Sequence, residues 1–185
     1  DKNPKTAFSD SIQQTTTCHS PRTLIVNLDL IKRANQQRAI EIYKERFANP
    51  ADFFVTFIGN INPNDEATRQ IICTWLGGLK TDKSRETYTD HGVRYPKGKV
   101  NNYFAKEMET KTASNRIVYS GKMKATLANR LNMGIIGDIL GTRYLESIRE
   151  KEGGSYGVGC AGYVMQDPIE QAVLLMQFDT DPEKQ

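Results

Sequence analysis

Apolar and polar positions along this chain alternate in two rhythms, and the rhythms divide it into elements. Residues 1–27 are polar, with clusters of Ser, Thr and Gln, and read as a lead-in or linker. From Asn35 to Phe47 the spacing is helical, with Ile40, Tyr43 and Phe47 on one face and Asn49-Pro50 as the stop. Asp52 to Ile58 (DFFVTFI) alternates with apolar residues on both faces, the pattern of a central strand covered on both sides. Asn62-Pro63-Asn64-Asp65-Glu66 then reads as a helix start, with Asn62 as cap and Pro63 in the first turn. Its inward face is Ala67, Ile71, Ile72, Trp75 and Leu76, and Gly77-Gly78 closes it.

The second half is predicted with the same rules. After a charged, irregular stretch at 80–97, Lys99–Met108 and Ala113–Gly121 are predicted as a hairpin with one exposed face. A long helix runs from about Ala125 to Lys151, and Ser155–Val164 and Gln171–Phe178 follow as strands. Gly134, Gly137 and Gly141 form one stripe on that helix, each at a cost of ~1 kcal/mol against Ala. A stripe of that kind implies a close approach to a neighbour. One pleat of the next strand, Gly157, Gly159 and Ala161, is almost bare of side chains, which makes it the expected counterpart. Asp181-Pro182-Glu183 opens a further helix, which reads as cut off after Gln185. Paired strands between helices define an α+β two-layer sandwich, a mainly antiparallel sheet with helices on one face. The expected organisation is a lead-in at 1–28 and a single domain at 29–185.

Composition narrows the function. The 185 residues are 38% hydrophobic and 25% charged, an ordinary globular balance. The formal net charge of +3 is scattered rather than patched, and no nucleic-acid-binding signature accompanies it. The longest apolar run, Ala172 to Met176, is about five residues, against the ~20 needed to span a membrane. Cys18, Cys73 and Cys160 are too few and too scattered for a disulfide framework.

The chemically suggestive stretch is REKEGGSYGVGCAG at 149–162. It contains a G-x-S-x-G, but a nucleophile elbow runs from strand to helix, and here the helix comes first. It also contains a G-x-G-x-x-G, but those glycines sit within a strand instead of opening a helix that would cradle phosphate. What survives is Arg149 near the helix end and Tyr156, seven residues later, at the start of the strand. A fixed cation and a hydroxyl donor at one corner suit a carbonyl or carboxylate oxygen. Each also has a plain structural use, the Arg beside a helix C-terminus and the Tyr as packing.

The strings YKERFANPADFFVTFIGNI (43–61), WLGGL (75–79), RYLESIREKEGGSYGVG (143–159) and FDTDPEK (178–184) together resemble the insulinase/pitrilysin family of zinc metallopeptidases, in its large bacterial members. The likeness runs from about Asp29 to Gln185. It implies one α+β unit of a clamshell in which another half carries an inverted H-x-x-E-H zinc motif. This half would supply Arg149 and Tyr156 to a peptide or protein substrate. In that scheme zinc and a Glu of the other half activate water, and Tyr156 donates to the developing oxyanion. This chain has no H-x-x-E-H, and His19 and His91 are about seventy residues apart, so no zinc ligand set can be assembled from it. The resemblance therefore implies a C-terminal unit that binds no zinc and is inactive alone. Its zinc-binding half would lie on the same chain or on a partner subunit, and family analogy suggests a cell-envelope or periplasmic location. The alternatives are a catalytically inactive scaffold or partner subunit of the same fold and, in a third class, a stand-alone peptide-binding module.

Overall fold

The computed structural model describes residues 3–81, 85–109, 111–147 and 157–184. Its elements are α1 (Pro4–Thr16), α2 (Leu28–Lys32), α3 (Gln36–Phe47), α4 (Glu66–Trp75), β1 (Ala113–Lys122), α5 (Leu127–Tyr144), β2 (Val158–Met165) and β3 (Gln171–Thr180). Two compact units emerge: Asp1–Ile25 with Asp90–Gln185, and Val26–Thr89. The α+β class expected from the patterning is the one observed, an antiparallel sheet with helix packed against it.

The first unit is built on a three-stranded sheet in the order β1-β3-β2, antiparallel throughout. Its register places Arg116, Gln177 and Gly159 in one row, then Val118, Leu175 and Ala161, then Ser120, Val173 and Tyr163. Those three rows share a face, because neighbours across an antiparallel pair point the same way. The intervening rows form the other face, and α5 packs there. Thr126 caps α5 by accepting from the Asn129 amide at 3.2 Å. Glu170, in the β2–β3 connection, accepts from the Ala125 amide at 3.1 Å and pairs with Lys124 at 2.8 Å. The Lys124 ammonium, its main partner, holds the Glu170 carboxyl below the usual glutamate range. The start of α5 is thereby tied to the turn between β2 and β3.

Glycine sets how near α5 comes to the sheet. A Cβ at Gly137 would lie 2.5 Å from the Gly162 amide nitrogen, and one at Gly162 would fall on the Met133 carbonyl. Gly141 is less demanding, with its nearest neighbour the Cys160 Cβ at 3.5 Å, and Gly134 faces open space. The predicted stripe does mediate a close approach, but at two of its three glycines. The counterpart also differs from expectation. α5 lies on the Cys160, Gly162 and Val164 pleat and leaves the bare Gly157, Gly159 and Ala161 pleat uncovered. Gly162 is the reason: it is the one position on the larger-residue pleat where a helix backbone can touch the strand backbone. Around it Met133, Val164 and Met176 form the buried core.

Val173 is fully buried on the opposite face. Its row partner Tyr163 is hydrogen-bonded to Tyr95, whose phenol is pushed up to about 12, first by burial and then by that bond. The loop that carries Tyr95 thus covers one end of this face. Further along the same unit, Phe8 of α1 meets Phe104 at 6.5 Å between ring centroids, and Asn102 donates to Ser11 and Thr15 of α1. The helix α1 falls within the stretch read as a lead-in. Asn3 caps it with Pro4 in its first turn, a start signal that the polar composition masked.

In the second unit α3 starts at its Asn35 cap as expected, and Tyr43, Phe47 and Phe53 stack in series at 4.6 and 5.9 Å. Arg38 pairs with Glu41 and Glu45, and Arg46 pairs with Glu86. For α4 the cap is Asp65, accepting from the Thr68 amide at 2.8 Å. Asn62, the expected cap, instead accepts from Asn64 in a local turn. Both side chains can cap, and Asp65 stands directly before the apolar run. Among the described residues two expected strands do not form: Asp52 closes a 3-10 turn (Pro50–Asp52), residues 53–58 and 99–108 carry no ladder, and β1 pairs with β3 instead of a hairpin neighbour. A strand apolar on both faces requires neighbours at its edges and cover on its faces. Phe54 and Ile58 are instead 94% and 93% exposed.

Two outcomes follow from this packing. Replacing Gly162 by Ala drives a methyl into the Met133 carbonyl and should destabilise the first unit by about 1–3 kcal/mol. Gly134→Ala on the same helix meets nothing and should be neutral or stabilise by up to ~1 kcal/mol. Urea unfolding of both variants checks the opposite signs. Tyr95, with a raised folded-state value, contributes stability that is full below its ordinary value of 10.0 and lost as pH rises toward about 12. A phenolate absorbance titration should therefore lose its highest-pH step in Tyr95→Phe, and an unchanged curve would contradict the burial assigned here.

Candidate functional site

The sequence places its candidate pair at the corner between α5 and β2. α5 is described to Tyr144 and its Leu145 cap, and β2 from Val158. Arg149 and Tyr156 both lie outside the described residues. The flanks of the corner are set by the elements around it. Gly137 and Met133 stand against Ala161 and Gly162, and Gly141 stands against Cys160, so helix and strand run in opposite directions in contact. The end of α5 and the start of β2 therefore lie side by side. Glu170 and Lys124 tie down the other end of the helix, and Arg130 reaches Gln166 at 2.9 Å there.

Beside the start of β2, on the sheet face away from α5, lies a groove of about 380 Å³. Gly157, Gly159 and Ala161 floor it, and Arg116, Gln177 and Asp179 stand around it. Arg116 comes from the strand furthest from β2 and lies in one row with Gln177 and Gly159. Its Nε is buried and has no hydrogen-bond partner among the described residues. Arg116 was not among the residues singled out from sequence. The available signal was its alternation with Val118 and Ser120 in a strand with one polar face, which places a cation on that face. What the sequence could not show is that β3 pairs with β1, which carries the guanidinium across to the glycine strand.

Among the described residues no metal-ligating cluster competes with this region: no group of three or more His, Cys, Asp or Glu could hold a metal ion. His19 sits on the surface, 3.0 Å from the Gln14 amide oxygen through Nδ1. The described residues do not fit a zinc site. Asp90, held down to about 2 chiefly by Arg94 and also by the Gly92 amide, is a structural ion pair. Cys160 is pushed up by burial, so its thiolate is disfavoured, the reverse of what a reactive cysteine needs. Among the described residues no helix is long and apolar enough to cross a membrane.

Comparison with known families agrees with this picture. Residues 34–185 match the family model described as the peptidase M16 inactive domain. The chain belongs to that family. The match begins just before α3, runs through the corner carrying Arg149 and Tyr156, and reaches the last residue. No curated protein and no solved structure matches the chain.

Proposed function

We propose that this chain is the substrate-handling, non-zinc unit of a zinc-dependent metalloendopeptidase, and that Arg149 and Tyr156 are its contribution to the active site. The family match over 34–185 carries the reading, because it spans the helix-to-strand corner on which the pair is placed. The absence of a ligand cluster among the described residues accords with the match to an inactive domain, so the metal would be held by another part of the enzyme.

In this reading the chain's own groups bind and polarise. The Tyr156 hydroxyl donates to the scissile carbonyl oxygen as negative charge develops there, where one donor is typically worth ~10²–10³ in rate. The Arg149 guanidinium, always charged and forked, holds a neighbouring substrate carbonyl and fixes the register of the peptide. Both depend on a rigid corner, and the α5–β2 contact supplies rigidity on either side of it. The reading also carries the single-domain boundary at 28/29 and a cell-envelope location as proposals.

A second reading keeps the fold and drops the chemistry: a scaffold subunit related to the peptidases. The family's description as an inactive domain suits it equally well. An H-x-x-E-H in the remainder of the enzyme or in its partner subunit separates the two.

Tyr156→Phe in the enzyme containing this chain should lower kcat by ~10²–10³ with a much smaller change in KM. Steady-state kinetics on a peptide substrate provide the check. An unchanged kcat with the metal still bound removes Tyr156 from the active site.

A further inference from the structure

Gly157 and Gly159 differ from the other glycines of this sheet. At Gly162 the α5 backbone excludes any side chain, whereas a Cβ at Gly157 would meet nothing within 4 Å and one at Gly159 only the Gln177 carbonyl oxygen at 3.9 Å. Neither has a positive φ among the described glycines that do. Among the described residues, then, neither packing nor a positive φ requires glycine at 157 or 159. What the two residues provide is the floor of the groove.

Arg116 has the complementary property. Among the described residues its Nε is shut off from water without an acceptor, a condition rare enough to call for a reason. Asp179 lines the same groove, yet no ion pair joins it to Arg116. A guanidinium is the side chain best matched to a carboxylate, through two parallel hydrogen bonds. The exposed main chain of β2 beside it allows another main chain to come close. Asp179, one row further along, repels a second carboxylate and accepts an amide N–H, which gives the groove a direction.

We propose that this groove is a subsite for an extended peptide, and that Arg116 receives a carboxylate carried by that peptide. The inference rests on the reading above only in taking a peptide as the occupant. It uses neither Arg149 nor Tyr156. The carboxylate comes either from a peptide C-terminus or from an acidic side chain, and the chemistry at Arg116 is the same for both.

The test is a fluorescence-anisotropy titration of the full 185-residue chain with three labelled short peptides of one neutral sequence. One ends in a free acid, one in an amide, and one in an amide but with a single Glu added. At least one carboxylate-bearing peptide should bind ~10-fold or more tightly than the neutral amide, and which one does so identifies the source. Arg116→Gln should erase that preference, while Arg116→Lys keeps part of it. Gly159→Leu, which fills the floor and leaves Arg116 in place, should abolish binding of all three.

Equal affinity for all three peptides in the unaltered chain overturns the proposal, even if Arg116→Gln fails to fold. A preference that survives Arg116→Gln, or binding that survives Gly159→Leu, also overturns it. The catalytic reading is tested by kcat in Tyr156→Phe and this one by the carboxylate preference in Arg116→Gln, so their failures are read from different variants.

Discussion

The contact of α5 with β2, backbone against backbone at Gly137 and Gly162, is the constraint from which the rest of the first unit follows. With no side chains between them, the helix sits close enough for Met133, Val164 and Met176 to close over the sheet as a small core. The contact also fixes which pleat faces inward. Because side chains alternate along a strand, placing Gly162 against the helix turns Gly157, Gly159 and Ala161 outward. One packing choice thus produces both the buried layer and the uncovered face. The loop through Tyr95 covers that face at the Tyr163–Val173 end and leaves the Gly159–Arg116 end open.

The same alternation explains what the sequence disclosed and what it withheld. The α+β class was legible, as were α3, β1, β2 and β3 to within a few residues and the start of α5, because each has either a long period or an explicit cap. The face of β2 that meets the helix was misassigned, since a bare pleat looks like the natural seat for a helix of glycines. One glycine among larger residues was enough to reverse it, because the contact is made at a point. The strand DFFVTFI was read from its own pattern, and a pattern cannot supply the hydrogen-bonding neighbours a ladder needs. The candidate site divides in the same way. Arg149 and Tyr156 were singled out because they flank one turn in sequence, and both lie outside the described residues. Arg116 was missed because its proximity to Gly159 depends on a strand order, β1-β3-β2, that places a long crossover between them.

In the second unit the described residues leave Phe54, Ile58, Ile71 and Trp75 largely exposed. Burying a large apolar side chain is worth ~1.5–3 kcal/mol, so such a surface is not stable as a bare exterior. Its ordered features are local: caps at Asn35 and Asp65, the Arg38 ion pairs, and the Tyr43–Phe47–Phe53 stack. Exposed ion pairs contribute ~0–1 kcal/mol each, too little to replace a core. The first unit has what the second lacks, a ladder of ten residue pairs between β1 and β3 and a helix over it.

That difference bears on where function can reside. A group that must meet a substrate oxygen to within a fraction of an ångström needs supports that do not move, and only the α5–β2–β3 layer has buried side chains among the described residues. Arg116 stands on β1, which is laddered to β3 of that layer, and the corner where the sequence places Arg149 and Tyr156 is flanked by its helix and its edge strand. The α5–β2 contact holds the flanks of that corner from one side, and the β1–β3–β2 ladder holds Arg116 over the glycine floor from the other. The proposed catalytic corner and the proposed peptide groove share β2, so whatever separates α5 from β2 at Gly162 would disturb both.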